Sequence, residues 1–177
     1  MTTSTGGGQS DDHGSGEPIR YAEDLAIGRS FELGEYDVRR EEIIAFAAQW
    51  DPQAFHVDTA VASAGRFGDV IASGAHTLSI FQRLAALAEF RRWAVIAGRQ
   101  IRSLVFEAPV RPGMTLRGRM VVLSVAPDKP GRSLVRLRGE LVAGDDVVIS
   151  LESELLVSNR RQPAAADSRN SSTPVRS

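Results

Sequence analysis

The chain has no cysteine, which excludes thiolate nucleophiles, disulfides and cysteine-based zinc sites. No stretch approaches the 18 or so uninterrupted apolar residues of a membrane-spanning helix. The start lacks a charged segment followed by an apolar one, the mark of a secretory signal. A soluble, cytoplasmic protein is therefore expected. Excess charge of either sign is also missing: 21 basic residues face 22 acidic ones, for a net charge of −1. No global field draws such a chain to nucleic acid or to an anionic membrane. There is no internal repeat, no heptad run and no G-x-S-x-G of an esterase nucleophile.

What is present divides into a middle and two ends. MTTSTGGGQSDDHGSGEP and NRRQPAAADSRNSSTPVRS are almost free of apolar residues and are expected to form disordered tails over 1–18 and 159–177. His13 and the Gly6 to Gly8 run fall in the first tail and carry no chemistry. Residues 19–158 have the size of one domain with a single core.

The segment REEIIAFAAQW puts Ile43, Ala47 and Trp50 on one stripe with Phe46 beside it, the spacing of a helix with one buried face. Glu41 and Glu42 suit the positive end of its dipole. Pro52 ends it, because a residue before proline is pushed out of the α region, so Asp51 stands at the boundary. A polar and Ala-rich link leads to AHTLSIFQRLAALAEF, a helix apolar nearly all round through Leu78, Ile80, Phe81, Leu84, Leu87 and Phe90. A helix of that kind is buried by other structure.

Beyond residue 98 the period changes to two. In SLVRLRGELV and VVISLESELLV, apolar residues alternate with Arg, Ser and Glu, as in strands with one wet face. QIRSLVFEAPV and MTLRGRMVVLSV are two more, split by the turn RPG, with APDKPGR and AGDD as later connections. Four strands joined this way predict an antiparallel meander curled around the apolar helix: an α+β hot-dog fold.

The stretch FAAQWDPQAFHVDTAVASAGRFGDVIASGAHTLS resembles the MaoC-like dehydratases, the (R)-specific enoyl-CoA hydratase branch of the hot-dog superfamily. Asp51 and His56 match the family's Asp and His five residues apart. Phe67-Gly68 matches its Phe-Gly element and Ser73-Gly74 its step into the central helix. RSLVFEAPVRPGMTL is similar to the family's strand, Pro-Val and Arg-Pro-Gly turn. Gln53-Ala54 departs from the Asn-Pro many members carry there.

The resemblance implies hydration of a 2-enoyl thioester to the (R)-3-hydroxyacyl thioester. That chemistry needs a base for water, an acid for C2 and donors for charge on the thioester oxygen. Asp51 and His56 suit the first two roles, since a helix broken at Pro52 lets residues five apart converge. The backbone N–H of Gly74, in the first turn of the buried helix, suits the third. Ser79 is implied near the pair by the resemblance. Ser73 and Phe55 are candidates for the pocket, His76 for packing or the pocket mouth, and Trp50, Phe46 and Phe55 for the core. Arg83, Arg91, Arg92, Arg99 and Arg102 are candidates to meet phosphates of coenzyme A. No cofactor is implied beyond the pantetheine arm of the substrate, whether on coenzyme A or an acyl carrier. Asp51, His56 and Asp58 as metal ligands is the weaker alternative, because their spacing is not that of a known site. Two other rivals are an acyl-CoA thioesterase on the same fold and a non-catalytic acyl-thioester-binding subunit. An open sheet edge predicts a homodimer with the acyl channel at its interface, and the resemblance places the chain in fatty acid metabolism.

Overall fold

Turn residues mark where the chain reverses, and the apolar alternation marks which side of each strand faces inward. The computed structural model describes residues 18–160; His13, the Gly6 to Gly8 run and most of both expected tails lie outside the described residues. Strand β1 is Ser30–Asp37, followed by helices α1 (Arg40–Trp50), α2 (Ala54–Val57), α3 (Thr59–Ala64) and α4 (Gly74–Ala88). Strands β2 (Val95–Phe106), β3 (Thr115–Lys129), β4 (Arg132–Ala143) and β5 (Asp146–Ser158) complete the elements of the described residues.

The five strands form one antiparallel sheet in the order β1-β3-β4-β5-β2. Leu116, Met120 and Val122 of β3, Val135, Leu137 and Leu141 of β4, and Ile149, Leu151 and Val157 of β5 are buried on its concave face. They close over Ile80, Phe81, Leu84 and Ala85 of α4. The helix lies close to the sheet because Gly139 has no side chain: a Cβ there would stand 2.2 Å from Cζ of Phe81. This is the hot-dog fold. The convex face is laced by cross-strand ion pairs, Arg119 to Glu140, Arg136 and Arg138 to Glu152, and Arg102 to Glu154.

Several expectations need correction. The strands after residue 98 are not a simple meander, since β2 pairs with β5 at one edge and β3 lies between β1 and β4. The connection through Arg111, Pro112 and Gly113 therefore crosses from one side of the sheet to the other instead of closing a hairpin. Strand β1 was not expected: its alternation of buried Phe31 and Leu33 is cut short by Gly34, which has φ of +87° at a register shift. Strand β3 runs on through Pro127 to Lys129, leaving only Pro130 and Gly131 to turn. The link after Pro52 contains two short helices. Trp50 is 66% exposed and not core, while Phe46 and Phe55 are only partly buried. At the C-terminal end, Ser133 donates to Asn159 and Arg160 forms a bidentate pair with Asp24, so both residues dock on the domain.

Strand β2 is an edge. It leaves Ile96, Ile101, Val105 and Phe106 about half exposed, and its pairing with β5 is interrupted by three register shifts.

Candidate active site

Pro52 produces the break that the sequence implies. Asp51 caps α1 with φ −156° and ψ 69°, outside the helical region, while its N–H still donates to the Ala47 carbonyl at 2.8 Å. The chain then bends tightly: the Gln53 N–H donates to the Asp51 carbonyl at 2.7 Å and α2 starts at Ala54. His56, third residue of α2, is thereby turned back toward Asp51. Its Nε2 lies 3.5 Å from Asp51 Oδ2.

The other ring nitrogen fixes the tautomer. His56 Nδ1 is 2.6 Å from the Ile71 carbonyl oxygen, which can only accept, so Nδ1 carries the proton. In the neutral ring Nε2 then presents a lone pair toward a carboxylate that is also an acceptor. Two acceptors at 3.5 Å do not bond to each other directly, but one water can donate a hydrogen to each. That arrangement leaves the water oxygen's lone pairs free. The histidine is buried and its ring is covered by Phe55, with centroids 4.2 Å apart; the aspartate side chain keeps 28% exposure.

Gln53 was noted in the sequence only as a departure. In the structure its Nε2 donates to Asp51 Oδ1 at 2.8 Å, occupying the oxygen that faces away from His56. Ile71 was not foreseen at all, because a main-chain carbonyl leaves no trace in residue type.

Ser73 caps α4, its hydroxyl accepting from the His76 N–H at 3.1 Å and its carbonyl from Thr77 N–H at 3.0 Å. Among the described residues the N–H groups of Gly74 and Ala75 have no hydrogen-bond partner, the normal state of a helix tip. The space that a Gly74 side chain would fill is not open: a Cβ would lie 2.6 Å from Cζ of Phe106. The glycine makes room for that ring.

Other candidates fall elsewhere. Ser79 is exposed and donates to the Ala75 carbonyl at 2.8 Å; no hydrogen bond from it to Asp51 or His56 is found among the described residues. It lines a cleft of about 520 Å³ between α4 and β2 with Leu78, Gln82, Phe90, Ile101 and Leu155. Neither Asp51 nor His56 lines this cleft, so it does not contain the pair. His76 packs: it is buried, stacked on Phe46 at 4.6 Å, with Nε2 3.9 Å from Glu42, and burial pushes it below the ordinary histidine value while Glu42 opposes the shift. Tyr36 donates to the same Glu42, and burial first, then that bond, push its phenol up to about 12. Asp58 accepts from the N–H groups of Ala60 and Val61 as the cap of α3, which occupies the third ligand of the metal alternative. No group of three or more acidic, His or Cys side chains able to hold a metal occurs among the described residues. Arg102 and Arg99 face Glu154 at 2.8 Å and Asp128 at 3.6 Å, and Arg83 lies in a polar cleft with Tyr36 and Arg39. No helix of the described residues is long and apolar enough to cross a membrane.

Residues 23–140 match the family described as MaoC like domain. The uncharacterized protein YdeM of Bacillus subtilis is 36% identical over 107 residues, 60% of this chain and 76% of that protein. Among solved structures, a MaoC-like dehydratase from Rhodospirillum rubrum superposes with a TM-score of 0.73 at 30% identity, over 81% of this chain and 99% of that one. An (R)-hydratase from A. caviae involved in PHA biosynthesis superposes with a TM-score of 0.61 at 24% identity, over 74% of this chain and 96% of that one.

Proposed function

The chain belongs to the MaoC-like domain family, and from that premise we propose that it adds water reversibly to a 2-enoyl thioester, giving the (R)-3-hydroxyacyl thioester. The observation that carries the reading is the 3.5 Å gap between Asp51 Oδ2 and His56 Nε2, with the far nitrogen of the histidine tied to Ile71. The two acceptors stand close enough for one water placed beside them to donate a hydrogen to each. The (R) configuration is taken over from the resemblance to (R)-hydratases.

In this mechanism the water donates one hydrogen to each member of the pair. Asp51 takes a proton as the oxygen bonds to C3, and the pair returns a proton to C2, so that one water is consumed and nothing else is left over. His56, with its Nε2 lone pair, holds the water in line. The negative charge that builds on the thioester oxygen is received by the Gly74 N–H at the positive end of α4, a donor fixed before the charge develops. Phe106 and Phe55 wall the approach. The acyl chain runs toward the cleft between α4 and β2, whose open side is a free sheet edge. A second copy joined at that edge would roof the cleft, which supports a homodimer as the working form.

Crotonyl-CoA is the test substrate. Loss of the conjugated absorbance without thiol release is expected, and Asp51→Asn should lower the rate by about 10²–10⁴-fold. The protein has no cysteine, so any thiol detected comes from the substrate. Thiol release from the wild type would make it a thioesterase. Binding across a chain-length panel with no turnover would make it a non-catalytic subunit.

A further inference from the structure

The pair does not hold itself in place: Asp51 hangs from the end of α1, whereas the acceptor that orients His56 is a carbonyl in the loop between α3 and α4. We infer that Arg40 and Asp69 are positioning residues, which set the Asp51-to-His56 spacing by locking that loop to the far end of α1. The inference rests on reading the pair as the water-activating site.

Arg40 is the first residue of α1, and its guanidinium grips Asp69 with both nitrogens, Nη1 to Oδ1 at 2.5 Å and Nη2 to Oδ2 at 2.7 Å. The fork matches the carboxylate in a way a lysine would not. Asp69 Oδ1 also accepts from the Val70 N–H at 2.7 Å, so the clamp reaches the main chain. One residue further on, the Ile71 carbonyl accepts from the His56 Nδ1–H, and the Ala72 N–H donates to the Val110 carbonyl at 2.8 Å. Arg111 secures the start of the same loop by donating to the Phe67 carbonyl at 2.7 Å. The loop is thus hydrogen-bonded at 67, 69 and 72, and among these the bond at 69 reaches α1, beside Val70 and Ala72, which are buried in the same core as Ile43 of that helix. Helix α1 is a rigid rod about 16 Å long carrying Arg40 at one end and Asp51 at the other. Releasing one end lets the aspartate and the histidine's acceptor slide past each other.

A structural role alone is a poor explanation. The two side chains keep 41% and 31% exposure, so solvent screening limits what even this bidentate pair adds to stability. Geometry is the sensitive quantity, since a misplacement of about 1 Å at a reacting group can cost about 10²-fold in rate.

The test compares Arg40→Ala, Arg40→Lys and Asp69→Asn with wild type, measuring kcat, KM and Tm on crotonyl-CoA and the ring nitrogens of His56 by ¹⁵N NMR. Expected are a fall in kcat of about 10–100-fold, smaller for Arg40→Lys, KM within about twofold, and Tm within about 3 °C. The His56 ring should lose its fixed Nδ1–H tautomer while His76 keeps its signals. Unchanged kcat and unchanged His56 signals in folded variants would overturn the inference, as would a collapse of Tm that accounts for the lost activity. A wild type inert toward every thioester would defeat the proposed reaction, and the His56 signals alone would then judge the clamp.

Discussion

His56 offers one nitrogen because the other is already spoken for, and the same division of labour holds at Asp51, where Gln53 occupies one oxygen. Gln53→Ala should therefore lower kcat by about tenfold through a carboxylate free to rotate, with Tm little changed; steady-state kinetics on crotonyl-CoA checks it. His76 yields a pH prediction. Its folded-state value is depressed by burial, so the unfolded chain binds the proton more readily and stability must drop as pH falls below about 6.5. The paired carboxylates Asp69 and Glu152, held low mainly by Arg40 and Arg138, lose their contribution only in a more acidic window, as pH falls below about 4. Thermal melts should thus decline between pH 7 and 5, and His76→Phe should flatten that limb alone. Asp51 and His56 were legible in the sequence because their chemistry resides in side chains of a rare pairing around a proline. Ile71 was not, since any residue supplies a carbonyl, and Arg40 and Asp69 were not, because 29 positions separate them.

Helix α4 meets the sheet through missing side chains, and two glycines make the point in different ways. Gly139 faces Phe81, which is 4% exposed and has nowhere to go, whereas Gly74 faces the ring of Phe106, 51% exposed and free to swing outward. Gly139→Ala should cost about 1–3 kcal/mol, read by urea unfolding, while Gly74→Ala should cost clearly less and be relieved by Phe106→Ala. The central helix and the later strands could be read from their periods because each buries a regular face. Strand β1 escaped since Gly34 breaks its alternation after two buried residues, and the strand order escaped since a period of two says nothing about which neighbour a strand takes. Trp50 followed the stripe of α1 in sequence yet is 66% exposed, so the apolar face of a helix is buried only as far as something covers it.

For the whole molecule, the exposed residues of β2 are the part left unfinished. Sedimentation of the wild type should give a dimer at working concentration, and Ile101→Lys with Val105→Lys should give a folded monomer with little activity, because like charges meet across the joined edges and the cleft loses its roof. A wild type that sediments as a monomer while fully active would remove the dimer from the mechanism. The expected fold implied an open edge, but not which strand or residues would form it, since no single residue announces an edge. The irregular pairing of β2, with its three shifts of register, bears on safety as well as assembly. A straight, even border would welcome any extended segment that drifted by, including another copy caught half-folded, and so seed fibrils. A crooked one rejects strangers, because each kink denies them a hydrogen bond that only a correctly shaped companion recovers.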